Sequence, residues 1–150
     1  MNSRTLVTMA AILLAGAGCA RKPASDTAAE NERKLEEMMT GVTLVGHSTS
    51  TTREGISGEE RYAIDKVSKL TGDVWLLQAR IKYGSIDLAV PIPVAIKWAG
   101  DTPVITMTDV SIPRVGTYTA RVLLYRGQYA GTWSAKDHGG ELFGKIVRGR

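Results

Sequence analysis

Few side chains in this sequence have the type and spacing to do chemistry. Cys19 is the single cysteine of the 150-residue chain. It has no partner for an internal disulfide, so its thiol is left for modification. His47 and His138 are the only histidines. A structural or catalytic metal site takes three or four ligands, and no second cysteine adds to the two histidines, so neither a metal centre nor a cofactor is predicted. Asp137-His138-Gly139-Gly140 places a carboxylate beside an imidazole in a glycine-rich turn, which suits either a general base with its orienting acid or an exposed turn histidine. Glu59-Glu60 has the composition of a carboxylate pair, yet neighbouring residues of a strand face opposite ways. The hydroxyls at 48–52 lack a matched histidine and acid. Gly139, Gly140 and Gly144 lack the following helix and the spacing of a phosphate loop. No active site assembles from these residues, and the protein is read as a non-enzyme. A hydrolase would require Asp137 and His138 buried beside a nucleophile.

The elements that must position these groups change character along the chain. Arg4 precedes an uncharged, mostly apolar stretch at 6–17, shorter than the ~20 residues that span a bilayer. Residues 20–26 are small and polar, as in a tether. Thr27 and Glu30 have the spacing of a capping box. Helix formers follow at 32–39, with Leu35, Met38 and Met39 in one stripe and Gly41 as a stop. Such a helix packs on the domain, or else faces a partner or a membrane.

Beyond Gly41 the pattern has period two, and eight strands are predicted at 42–51, 60–70, 74–83, 86–98, 104–110, 117–125, 128–135 and 141–147. Residues 52–58 read as a polar loop. The fourth strand contains "AVPIPVAIKW", with two prolines inside a clean alternation of Val90, Ile92, Val94, Ile96 and Trp98. Pro91 and Pro93 have equal parity, so both missing N–H donors fall on one edge while the other edge can pair fully. Either this is a protected edge strand, or it bends and changes partner near the prolines. The bend is favoured. Long bent strands in a meander predict an all-β fold, a small barrel of about eight antiparallel strands with a short N-terminal helix. A β-sandwich is the alternative.

Leu14-Ala15-Gly16-Ala17-Gly18-Cys19, after the apolar stretch, resembles the lipobox of bacterial lipoproteins, although Gly16 stands where that box usually has Leu. The resemblance implies a signal peptide over 1–18, acylation of Cys19, a tether over 19–26 and a single β domain over 27–150. It also implies membrane attachment through Cys19. Ala20, in the place where Asp retains such proteins in the inner membrane, implies an outer-membrane, periplasm-facing location in the cell envelope. An ordinary signal peptide or an uncleaved anchor is the alternative. The eight-stranded meander after a helix resembles the calycins, which include the lipocalins and often bind small apolar molecules. Their G-x-W marker stands here in the seventh strand, Gly131-Thr132-Trp133, and not in the first. The closing block "YAGTWSAKDHGGELFGKI" resembles the C-terminus of small uncharacterised secreted bacterial proteins.

Trp75, Leu77, Ile81, Tyr83, Ile92, Val94, Trp98, Tyr118, Val122 and Leu124 are expected inside the barrel. An interior of eight strands holds either side chains or one small ligand. Bulky residues throughout the fourth strand favour filling, whereas Gly46, Ala79, Ala120 and Gly131 favour a cavity. Two functions remain open. The first is a binder of a small apolar ligand near Trp75, Tyr83, Trp98 and Tyr118. The second is a filled structural lipoprotein with an envelope protein partner. The net charge of +4 is spread along the chain. Arg80, Lys82, Arg121, Lys136 and Lys145 read as a solvated face, and no nucleic-acid partner is expected.

Overall fold

The computed structural model describes residues 24–83 and 85–149, the side chains of residues 24, 25 and 83 excepted. One helix, α1 (Ala24–Met39), precedes nine strands: β1 (Val42–Ser50), β2 (Arg53–Ile56), β3 (Glu60–Thr71), β4 (Val74–Tyr83), β5 (Ile86–Ala99), β6 (Thr102–Ile112), β7 (Gly116–Tyr125), β8 (Gln128–Ser134) and β9 (Gly139–Arg148). All strand pairs are antiparallel. β1 and β3 to β9 follow one another round a closed eight-stranded barrel, sealed by β1 against β9. The sandwich alternative is thereby set aside.

Each predicted strand is present, and the differences have local causes. The stretch read as a loop contains β2, which folds back on the end of β1 through Thr49↔Ile56 and Ser50↔Arg53. Its residues are all exposed, so no alternation of burial marks it as a strand. α1 begins at Ala24, within the stretch read as a tether, so Thr27 lies inside the helix and is not its cap. Gly41 ends the helical segment as expected, with φ at +70°, a conformation that glycine adopts without steric cost.

α1 packs over one end of the barrel. Leu35 and Met39 are buried in the core, and Met38 packs partly against it. Burial of each such side chain contributes roughly 1.5–3 kcal/mol. Polar contacts fix the helix against the strands: Lys69 pairs with Glu32 at 2.5 Å, and Arg148 donates to the Glu37 carbonyl at 3.0 Å. The Thr40 hydroxyl accepts from the Val67 N–H at 3.2 Å. No described helix is long and apolar enough to cross a membrane.

β5 resolves the proline question. It pairs with β4 over its first ten residues, Ile86↔Tyr83 to Ala95↔Val74. It pairs with β6 only from Ala95 to Ala99. The Ile96 N–H donates to Asp73 just before β4, so even-numbered residues of β5 face β4 and the prolines face β6. Ala95 is the first residue beyond Pro93 on that edge with an N–H to give, and there the β6 ladder begins. The strand changes partner, as favoured, just after the prolines. β6 in turn has a bulge between Met107 and Val110, with Asp109 at φ +51°. Between Ile86–Val94 and Met107–Ile112 the two strands share no ladder, so the barrel wall is parted toward the end away from α1.

The opposite seam is close-packed. Gly46 of β1 lies opposite Gly144 of β9, which lies opposite Tyr129 of β8. A Cβ on Gly144 would sit 2.8 Å from the Tyr129 ring and 2.7 Å from the Gly46 Cα. The tyrosine ring fills the space that two side chains would otherwise take.

Two outcomes follow. Gly46→Ala forces a Cβ against the Phe143 carbonyl and lowers stability by about 1–3 kcal/mol, read as a reduced denaturant midpoint. Replacing both prolines, Pro91→Thr with Pro93→Thr, restores two donors on an unpaired edge. It produces concentration-dependent association in analytical ultracentrifugation, because an unguarded edge templates strand pairing.

Candidate functional site

The barrel encloses a half-open cavity of about 240 Å³. Its apolar wall comes from inward residues of successive strands, among them Leu44, Ile64, Leu77, Ala79, Ile81, Ile92, Val94, Ile105, Met107, Ala120 and Val122. Its polar groups, Ser48, Glu60, Tyr62, Tyr118, Trp133 and His138, come from the strand ends and the turn remote from α1. The site is thus an apolar chamber, closed near the helix and polar near its mouth, the form that orients a small ligand.

Of the residues predicted to meet a ligand, Tyr118 lines this cavity. Trp75 does not: it is 1% exposed and fills the core near the helix end, where β4 begins. Trp98 does not either. It faces a separate hollow beside α1, with Leu35, Met38 and Leu124. Both indoles point inward as the alternation requires, but at the end that α1 covers, a distinction that strand parity does not carry. The Tyr83 side chain, Gly84 and Cys19 lie outside the described residues.

Ala79 and Ala120 line the cavity, whereas Gly46 and Gly131 do not. A Cβ on Gly131 would collide with backbone of the neighbouring strand at Arg121. These two glycines allow backbones to approach closely and leave no room for cargo.

Glu60, considered in the sequence only as half of an adjacent carboxylate pair, is the one charged side chain buried among the described residues, at 7% exposure. Its carboxylate accepts from the Ser48 hydroxyl at 2.7 Å and from the Tyr62 phenol at 2.6 Å. Its neighbour Glu59 points outward and pairs with Arg61 at 2.8 Å, so the two carboxylates face opposite ways as expected. The signal that finds Glu60 is its parity with Tyr62 and Ile64.

His138 sits at the cavity mouth with its side chain 37% exposed. Its Nδ1 lies 3.0 Å from Asp137, and its ring meets Trp133 edge-on at 5.3 Å. Asp137 is largely exposed, and its hydrogen bond with His138 holds its carboxyl below the usual range. The Ser48 hydroxyl is committed to Glu60 and not to His138. His47 points outward, where its Nδ1 lies 3.0 Å from the Ser57 carbonyl. Among the described residues no group of histidines and acids is placed to hold a metal.

Two buried polar atoms near the site have no hydrogen-bond partner among the described residues, the Tyr129 hydroxyl and the Trp133 Nε1. Trp133 lines the cavity with other parts of its side chain, its Nε1 being buried. Burial, with the Glu60 carboxylate as the lesser cause, pushes the Tyr129 phenol up to about 12.

No protein-family model, curated protein or solved structure matches this chain.

The raised Tyr129 pKa has a sign. Its contribution to stability is complete below the unfolded tyrosine value of about 10 and is lost as pH rises through about 12. Thermal unfolding followed from pH 9 upward is expected to show that loss. Tyr129→Phe should flatten it and leave stability at neutral pH equal or higher, because the variant removes an unpaired buried hydroxyl.

Proposed function

We propose that this protein is a cell-envelope lipoprotein, acylated at Cys19 and held at the outer membrane facing the periplasm, whose barrel carries a small apolar or amphipathic molecule without transforming it. One observation carries the binding part of this reading, the half-open apolar cavity with polar groups gathered at its mouth. A filled barrel would leave no such space. The wall parted between β5 and β6 gives the chamber a side without a ladder, where Ile92 and Val94 on one strand and Met107 and Ile112 on the other line it. The anchoring part rests on the lipobox-like residues before Cys19. Acyl chains there would give stable attachment, at about 0.8 kcal/mol for each buried methylene.

A second reading has its own observation. Leu123, Ala130 and Phe143 stand opposite one another across β7, β8 and β9. Leu123 and Phe143 are 40% and 38% exposed. This outward apolar row suits contact with an envelope partner, since exposed apolar stripes mark interaction surfaces.

Native mass spectrometry of the protein extracted gently from its own membrane tests both. The expected result is a chain beginning at Cys19 with the added mass of acyl chains, together with a small non-covalent molecule. An unmodified full-length chain would sink the lipoprotein assignment. Acylated protein that repeatedly carries no small molecule, and that cross-links to another envelope protein through Leu123 or Phe143, would replace the carrier reading with the second one.

A further inference from the structure

We infer that the cavity selects an amphipathic molecule with an ammonium head, which docks on Glu60 while its short apolar chain fills the chamber toward α1. This deepens the carrier reading and rests on it. The argument begins with charge. Glu60 is the only charged side chain buried among the described residues, and its two hydrogen-bond partners, Ser48 and Tyr62, are neutral hydroxyls. No lysine or arginine lines the cavity, and the ion pairs of the described residues join other acids. A carboxylate offers about four acceptor positions, so Glu60 retains room for further donors. A buried carboxylate without a cation is unfavourable, and a cation that enters the site relieves that condition.

Aromatic chemistry points the same way. Tyr62, Tyr118 and Trp133 all line the chamber, with the Tyr118 and Trp133 rings 6.2 Å apart and tilted. Ring faces attract ammonium groups, and a carboxylate set among aromatic rings is a common means of holding one. A carboxylate-headed ligand would instead meet Glu60 with no lysine or arginine in the lining to separate them, and like charges at close range disfavour it.

Size bounds the remainder. A cavity of about 240 Å³ has room for on the order of eight water-sized groups. That suits a chain of about eight carbons held against Leu77, Val94, Ile105 and Val122.

The test uses the whole chain with Cys19→Ser, which removes the acylated thiol and leaves every cavity residue in place. Octylamine, octyltrimethylammonium, octanol and octanoate are titrated by calorimetry, with Trp fluorescence as a second readout. The two cations are expected to bind about tenfold or more tightly than octanol, with octanoate weakest. Glu60→Gln should abolish that preference and leave octanol affinity nearly unchanged, whereas Glu60→Asp should keep it. Should Glu60→Gln fail to fold, the ranking of heads on the Glu60 protein decides. Octanol or octanoate binding as tightly as the cations overturns the ammonium assignment and leaves the carrier reading standing. Binding of none of the four overturns both.

Discussion

Seven consecutive residue pairs, from Val42↔Arg148 to Ser48↔Leu142, join the first barrel strand to the last, and everything else in the molecule depends on that seam. A meander whose ends did not meet would expose two long edges, each a row of unpaired N–H and C=O groups. Closure removes both, but it demands that β8, β9 and β1 curve tightly. The Gly46–Gly144 pair permits the curvature, and the Tyr129 ring covers it. A bulky, buried aromatic on two side-chain-free residues replaces the packing that the glycines lack. The unpartnered Tyr129 hydroxyl is the residual disadvantage of using a phenol there.

Once the barrel is closed, its two ends differ because only one receives a helix. Leu35 and Met39 of α1 close the interior where Trp75 and Leu124 already fill it. The other end has turns, the short β2 hairpin and inward polar residues. The chamber lies between them, where Ala79 and Ala120 take the place of larger side chains. Pro91 and Pro93 then act on the wall. They withhold two N–H groups from the β6 side, so the ladder between β5 and β6 starts only at Ala95 and the wall beside the chamber stays parted. Two residues thus leave the edge of β5 toward β6 unzipped up to Ala95 while the pairing with β4 continues past them, and they guard that edge against foreign strands.

The alternation of apolar residues made the eight barrel strands legible, as did the parity of the prolines and the stop at Gly41. These features depend on local geometry alone: a strand repeats every two residues, and proline lacks its donor wherever it stands. β2 was not legible because all four of its residues are exposed and its pairing comes from the end of β1. The start of α1 was misplaced because the Thr27–Glu30 spacing fits a capping box equally well inside a helix.

The sequence by itself determined the meander of antiparallel strands, with a barrel favoured over a sandwich, the inward faces of β4, β5 and β7 and the edge that the prolines disable, since each follows from a period of two and from the chemistry of single residues. Only the tertiary structure decided which inward residues surround a chamber. Trp75, Trp98 and Tyr118 all point inward, yet Tyr118 alone of the three lines it. The difference lies in height along the barrel, which is set by the register of eight strands and by the end that α1 covers. The same registers bring Ser48, Glu60 and Tyr62 of two neighbouring strands into one hydrogen-bonded group and set Trp133 and His138 in the same cavity lining. No local pattern carries that information, because it arises from closing the whole circuit of strands.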